Sequence, residues 1–167
     1  MNDTLPIPVC VISEYRYELP ASLEKSLTET LCAFKASYGQ NVILHHGCTN
    51  PADVTARIFA HKASWRVENH PAGPVSGTSS RWPTPTRLQP EVVHPVLPYR
   101  DRDQEMILAS AIIVAVEADW GGTGALVREE AAAGWEVRYV TPAGTIPVPR
   151  QPVRLSPTAW LVDEDHH

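Results

Sequence analysis

The run AIIVAVEA, Ala111 to Ala118, limits the folds open to this chain more than any other stretch. It is apolar on both alternations, so the strand it forms must be covered on both faces. A half-exposed antiparallel strand alternates apolar and polar residues instead. A run of this kind belongs near the centre of a parallel sheet with helices packed above and below.

Shorter apolar runs repeat the theme. Ile7 to Ile12, Val42 to Leu44, Trp65 to Val67 and Trp135 to Val140 read as further strands. Helical patterns separate them. Leu19, Leu23, Leu27 and Leu31 recur every four residues, with Phe34 three further on, which is one helical face. Pro20 suits the first turn of that helix and Gly39 its stop. Asn50 caps a second helix beginning at Pro51, with Val54, Ile58 and Phe59 or Ala60 as its inner face. YRDRDQEMILASA reads as a helix with Met106, Ile107 and Ala109 inward, and ALVREEAAAG as a last helix closed by Gly134. The order predicts an α/β fold: a single Rossmann-like three-layer domain with a mostly parallel sheet. That domain spans 1–146 and a C-terminal tail spans 147–167. Residues 71–98 are too dense in proline for a helix or a central strand, and are expected to form an inserted loop or lid carrying Trp82.

The totals fit such a domain and narrow its partners. The 167 residues are 43% hydrophobic and 20% charged, enough to bury one core. A net charge of −5 leaves no Lys/Arg excess, so nucleic acid is not an expected partner. No apolar stretch approaches the roughly 20 residues that span a bilayer, so no membrane is expected either. The opening MNDTLPIPVCVIS lacks the regions of a secretion signal, and Cys10, Cys32 and Cys48 form no disulfide framework. The expected setting is the cytoplasm.

In open parallel sheets ligands sit beyond the carboxyl ends of the strands, where strand order reverses. Two loops, Gly47 to Asn50 and Trp120 to Gly124, follow strands and lead into helix N-termini, where exposed N–H groups and the helix dipole suit phosphate. Gly121, Gly122, Thr123 and Gly124 are expected to cradle it. Gly47, Cys48, Asn50 and Asp53 form the facing wall, with Asp53 either bonding a ribose hydroxyl or capping its helix. Arg100 and Arg102 supply positive charge, and Trp120 a surface on which a base stacks. No metal is expected: adjacent His45 and His46 point to opposite faces of a strand, and no HxxxH or HExxH spacing occurs. No cofactor is expected.

HHGCTNPAD through WRVENHP, followed by YRDRDQEM, SAIIVAV and WGGTGALVREE, resembles the SLOG superfamily over roughly residues 7 to 146. That Rossmann-like group includes the lonely-guy nucleotide phosphoribohydrolases and DNA-processing recombination mediators. His46, Gly47, Ala52, Asp53, His70 and Pro71 match its layout. Pro51 stands where members carry glycine, and SEYR replaces their Gly-Ser-Arg, with Arg16 in the arginine's role. The lonely-guy catalytic motif is incomplete: Ala125 occupies the threonine position and Arg128 the glutamate position. The resemblance implies a homodimer that binds a nucleotide or nucleotide-derived signal without turnover, in a sensing or sequestering role. The alternatives are a phosphoribohydrolase using Glu129 or Glu130, and a protein-interaction module with a vestigial pocket.

Overall fold

The computed structural model describes residues 4–14, 18–47, 50–73, 91–116 and 121–151. In chain order these form β1 (Ile7–Ser13), α1 (Ala21–Tyr38), β2 (Val42–His46), α2 (Pro51–Lys62), β3 (Arg66–Asn69), β4 (Val92–Val93), α3 (Tyr99–Leu108), β5 (Ile112–Val116), α4 (Gly121–Ala132), β6 (Glu136–Thr141) and β7 (Gly144–Val148). One seven-stranded sheet takes the order β4-β3-β2-β1-β5-β6-β7. All neighbours run parallel except β7, which turns back antiparallel along β6. This is the α/β three-layer, Rossmann-like architecture anticipated from the sequence.

Every residue of β5 is buried. Ile112, Val114 and Val116 join Val9, Val11, Leu44 and Val67 beneath α1 and α2. Ile113 and Ala115 face the other way, with Cys10, Ile12 and Val137, against Met106 and Ile107 of α3 and Leu126 and Val127 of α4. The two-sided apolar run is thus explained by helices on both faces. The Cys10 thiol lies in this second layer, where burial pushes it up to about 12 and leaves it inert. From β1 the chain lays strands outward to β4, then crosses back to place β5 on β1's other side. The β1–β5 junction is therefore the switch point of the sheet.

α1 buries Leu23, Leu27, Leu31 and Phe34, as the leucine spacing predicts, and stops at Gly39 with φ 59. Such a left-handed conformation costs glycine nothing and strains other residues. Among the described residues no helix is long and apolar enough to cross a membrane.

Several details differ from the sequence reading. α2 buries Ala52, Asp53, Ala56, Arg57, Ala60 and His61, while Ile58 is exposed. Small alanines let this helix approach the sheet closely, and its polar inner residues meet partners there. Gly121 to Gly124 form the first turn of α4 rather than a preceding loop. β2 and β3 extend through His46 and Asn69. Within the proline-rich stretch, β4 adds an edge strand to β3, and Ala72 bridges Leu97. An edge needs fewer backbone donors, so neighbouring prolines are tolerated. β7 takes Pro147 and Val148 into the sheet, where a tail was expected. On α3, Ala109 follows the last turn and is exposed, because the helix ends at Leu108. Trp82 lies outside the described residues.

Leu27 is fully buried between α1 and the sheet. Leu27→Ala is expected to cost about 2–5 kcal/mol by removing apolar contacts and leaving a cavity. Urea unfolding of both proteins measures it; an unchanged midpoint contradicts the packing.

Candidate functional site

α3 begins above the carboxyl ends of β2 and β3, and one side chain ties it there. The buried Arg102 guanidinium donates from Nη1 to the carbonyls of Gly47 at 3.2 Å and His70 at 3.1 Å. Its Nε donates to Asp103 Oδ1 at 2.6 Å, and its plane lies over Tyr99, 5.6 Å from the ring centre. Arg102 is thus a strut between chain segments, its fork matched to carbonyls and a carboxylate. Gly47 is needed for this approach: a Cβ there would meet Arg102 Nη1 at 1.9 Å. At the start of α2, Asn50 Oδ1 accepts the Asp53 N–H at 2.9 Å, so Asn50 is the cap. Asp53 itself is buried.

The α4 N-terminus lies beside the switch point. The Gly124 N–H donates to Glu14 Oε1 at 3.0 Å, so a carboxylate from the end of β1 sits where the helix dipole favours an anion. Alongside, a cavity of about 190 Å³ is lined by Tyr99, Arg100, Asp103, Thr123 and Leu126. It opens between the first turns of α3 and α4. Burial pushes the Asp103 carboxyl above its usual range, against the opposing pull of Arg102 and a hydrogen bond with Thr123. Perturbed carboxyls in a cleft are a common mark of functional sites.

Of the residues singled out by sequence, the structure gathers Gly47, Asn50, Asp53, Arg102, Thr123 and Gly124 along this rim, with Gly121 and Gly122 opening α4 and Arg100 exposed at the cavity. Glu129 is exposed and Glu130 partly buried on the third turn of α4. Neither lines the cavity, whose α4 residues are Thr123 and Leu126, one turn nearer the helix start. Arg16, Cys48 and Trp120 lie outside the described residues. A larger hollow of about 350 Å³, between α1 and the β6–β7 hairpin, includes Phe34, Tyr38, Arg138 and Thr145. It lies towards the amino ends of the strands, away from the rim chemistry.

Sequence reasoning missed two buried polar clusters on opposite faces of the β2–β4 strand ends. On the α2 face, Glu91 Oε1 accepts from Arg57 Nε and is 2.7 Å from His61 Nε2. His46 Nε2 is 3.7 Å from Glu91 Oε2, too long for a hydrogen bond, so its influence there is electrostatic. Burial alone would raise the Glu91 carboxyl; His46, Arg57 and His61 together outweigh it and hold the group at about 2.

On the other face, His45 Nδ1 and His70 Nε2 are 2.9 Å apart, and His94 Nε2 donates to Glu68 Oε2 at 2.8 Å. His45 Nδ1 is 3.6 Å from the same carboxylate oxygen. The His70 and His94 rings stack with centres 4.0 Å apart. Burial, then His94 and His45, push His70 down to about 3. Burial also lowers His45, against the pull of Glu68. Both rings are therefore neutral near pH 7, with a lone pair to offer. The signal for this group is strand register. His45 pairs with Glu68, His70 follows Glu68 by two residues on the same face, and His94 follows the short β4 beside them.

No family model matches the chain, and no curated protein matches its sequence. Among solved structures, the chain is similar to the X-ray structure of TM1055, a structural genomics target. The TM-score is 0.55 at 15% identity, over 78% of this chain and 72% of that one. That likeness supports the Rossmann-like α/β fold.

Two outcomes follow from the geometry. Gly47→Ala is expected to expel the Arg102 guanidinium and cost about 1–3 kcal/mol as overpacking, read by urea unfolding; an undisturbed midpoint argues against the strut. Glu91 has a folded pKa below its usual 4.5, so its contribution is present above that value and fades as pH falls towards about 2. Glu91→Gln should therefore destabilise the protein at pH 7, and the gap to wild type should narrow at pH 4 and further at pH 3. A gap independent of pH would contradict the ionised cluster.

Proposed function

We propose that the chain binds a nucleotide or nucleotide-derived ligand at the carboxyl rim of the sheet, between the first turns of α3 and α4, without turning it over. The observation that carries this reading is the Glu14 carboxylate on the Gly124 N–H beside the switch point. The α4 N-terminus is already an anion seat, held by the chain's own carboxylate. A ligand phosphate would take that seat by displacing Glu14. Arg100 would neutralise phosphate charge, Tyr99 would offer a ring to a base, and Thr123 and Asp103 would bond hydroxyl groups. The 190 Å³ cavity is smaller than the roughly 300–1,000 Å³ of pockets that enclose a drug-sized ligand. It fits one moiety, with the remainder lying along the rim. Arg128 stands where the hydrolase motif carries its catalytic glutamate, which favours binding over hydrolysis.

Thermal unfolding in the presence of AMP, ADP-ribose and cyclic AMP tests the reading. Stabilisation should rise with ligand, reaching about 2.7 kcal/mol at one hundred times Kd. Arg100→Ala should weaken the effect, and Glu14→Gln should strengthen it by removing the competing charge. If millimolar nucleotide stabilises neither wild type nor Glu14→Gln, the site is vestigial and the interaction-module reading takes its place.

A further inference from the structure

We propose that His45, Glu68, His70 and His94 bind one divalent first-row transition cation, with zinc the best chemical fit. One ligating atom from each of the four lies within 4.8 Å of all the others. A tetrahedral zinc with bonds of about 2.0–2.2 Å sets its ligand atoms roughly 3.3–3.6 Å apart. The separations here include 2.9 Å for His45–His70, 3.6 Å for His45–Glu68 and 2.8 Å for His94–Glu68. Small side-chain rotations convert this cluster into a coordination shell. Three imidazole nitrogens and a carboxylate oxygen form a donor set that suits zinc and its neighbours, and not calcium or magnesium, which demand oxygen.

A second observation points the same way. His70 is 1% exposed, and its outer nitrogen Nδ1 has no hydrogen-bond partner among the described residues. It faces Glu105 Oε2 across 3.8 Å, and that buried oxygen is likewise without a partner. Metal ligation through Nε2 puts the ring proton on Nδ1. The proton then points at the Glu105 carboxylate, the usual outer support of a metal-bound histidine. Cation binding thus fixes a donor opposite a buried acceptor, and a shift of about 1 Å would close the pair into a hydrogen bond.

The three strands supply the ligands from adjacent ends: β2 gives His45, β3 gives Glu68 and the following His70, and the residue after β4 gives His94. Four protein ligands close the shell, so the site is structural rather than catalytic. It fastens the two-residue edge strand β4 to the sheet. His94 is the most exposed of the four and provides the entry side.

The test uses the full chain, stripped with a chelator and titrated with cobalt(II) and zinc(II). One equivalent of cobalt should give the intense visible bands of a four-coordinate site. Zinc should bleach them and raise the unfolding temperature. His94→Ala and Glu68→Gln should each weaken binding at least tenfold. Glu105→Gln should keep the bands and weaken affinity about 10–100-fold. His166→Ala with His167→Ala should leave the bands unchanged, since the four proposed ligands suffice to fill the shell. Imidazole nitrogen spectra of the unmutated protein give a reading independent of variant folding. Zinc should shift three of the seven histidines. Absent or six-coordinate cobalt bands, binding untouched by His94→Ala in a folded variant, or shifts confined to His166 and His167 would overturn the site.

Discussion

The arrangement of the rim depends on one buried guanidinium. Arg102 holds the carbonyls of Gly47 and His70 together and thereby joins the exits of β2 and β3 to the first turn of α3. Peptide carbonyls at strand ends have no ladder partner, and leaving them buried and unpaired costs free energy. A fork with several donors settles two of them at once. The same contact explains why residue 47 has no side chain, and it fixes where Tyr99 and Arg100 stand. A lysine would carry the charge but has no second nitrogen to bond Asp103 while the first serves both carbonyls.

The centre of the fold was legible because its physics is local. A five-residue strand buried on both faces can only lie inside a covered sheet, and Ile112 to Val116 do so. The four-residue leucine spacing located the inner face of α1, and Asn50-Pro51 located the start of α2. The face of α2 was less readable. Apolar Ile58 suggested burial, yet Arg57 and His61 are inside because Glu91 waits for them across a gap of some thirty residues. No local pattern announces such a partner. β4 was hidden for a related reason: two valines among prolines form a strand only because β3 offers an open edge.

The rim was legible in position and less so in state. Gly47 and the Gly121–Gly124 run do mark the carboxyl side of the sheet. The glycines, however, are helix rather than loop, and Arg102 is structural where a phosphate ligand was expected. Both differences come from tertiary partners. The metal reading shows the same limit in the opposite direction. Opposed neighbours His45 and His46 do argue against a shared ion, and they indeed serve different clusters. The sequence cannot display that His45 and Glu68 are directly paired across parallel strands, or that His70 and His94 complete the group on one face.

The sheet thus divides by chemistry. Around β1 and β5 both faces are apolar, and stability there comes from burial. At the ends of β2, β3 and β4 both faces carry ionisable groups, which need partners to be buried at all. Glu14 brings the same rule to the α4 terminus: a carboxylate is admitted because an amide and a helix dipole receive it. Under the proposed function this creates a competition. Any anionic guest meets a seat already taken, so its apparent affinity falls by the fraction of molecules in which Glu14 has withdrawn. A ligand that also engages Arg100 and Asp103 gains contacts that free phosphate lacks. The occupied seat weakens all anions by the same factor, so under this reading selectivity for a nucleotide would come from those added contacts.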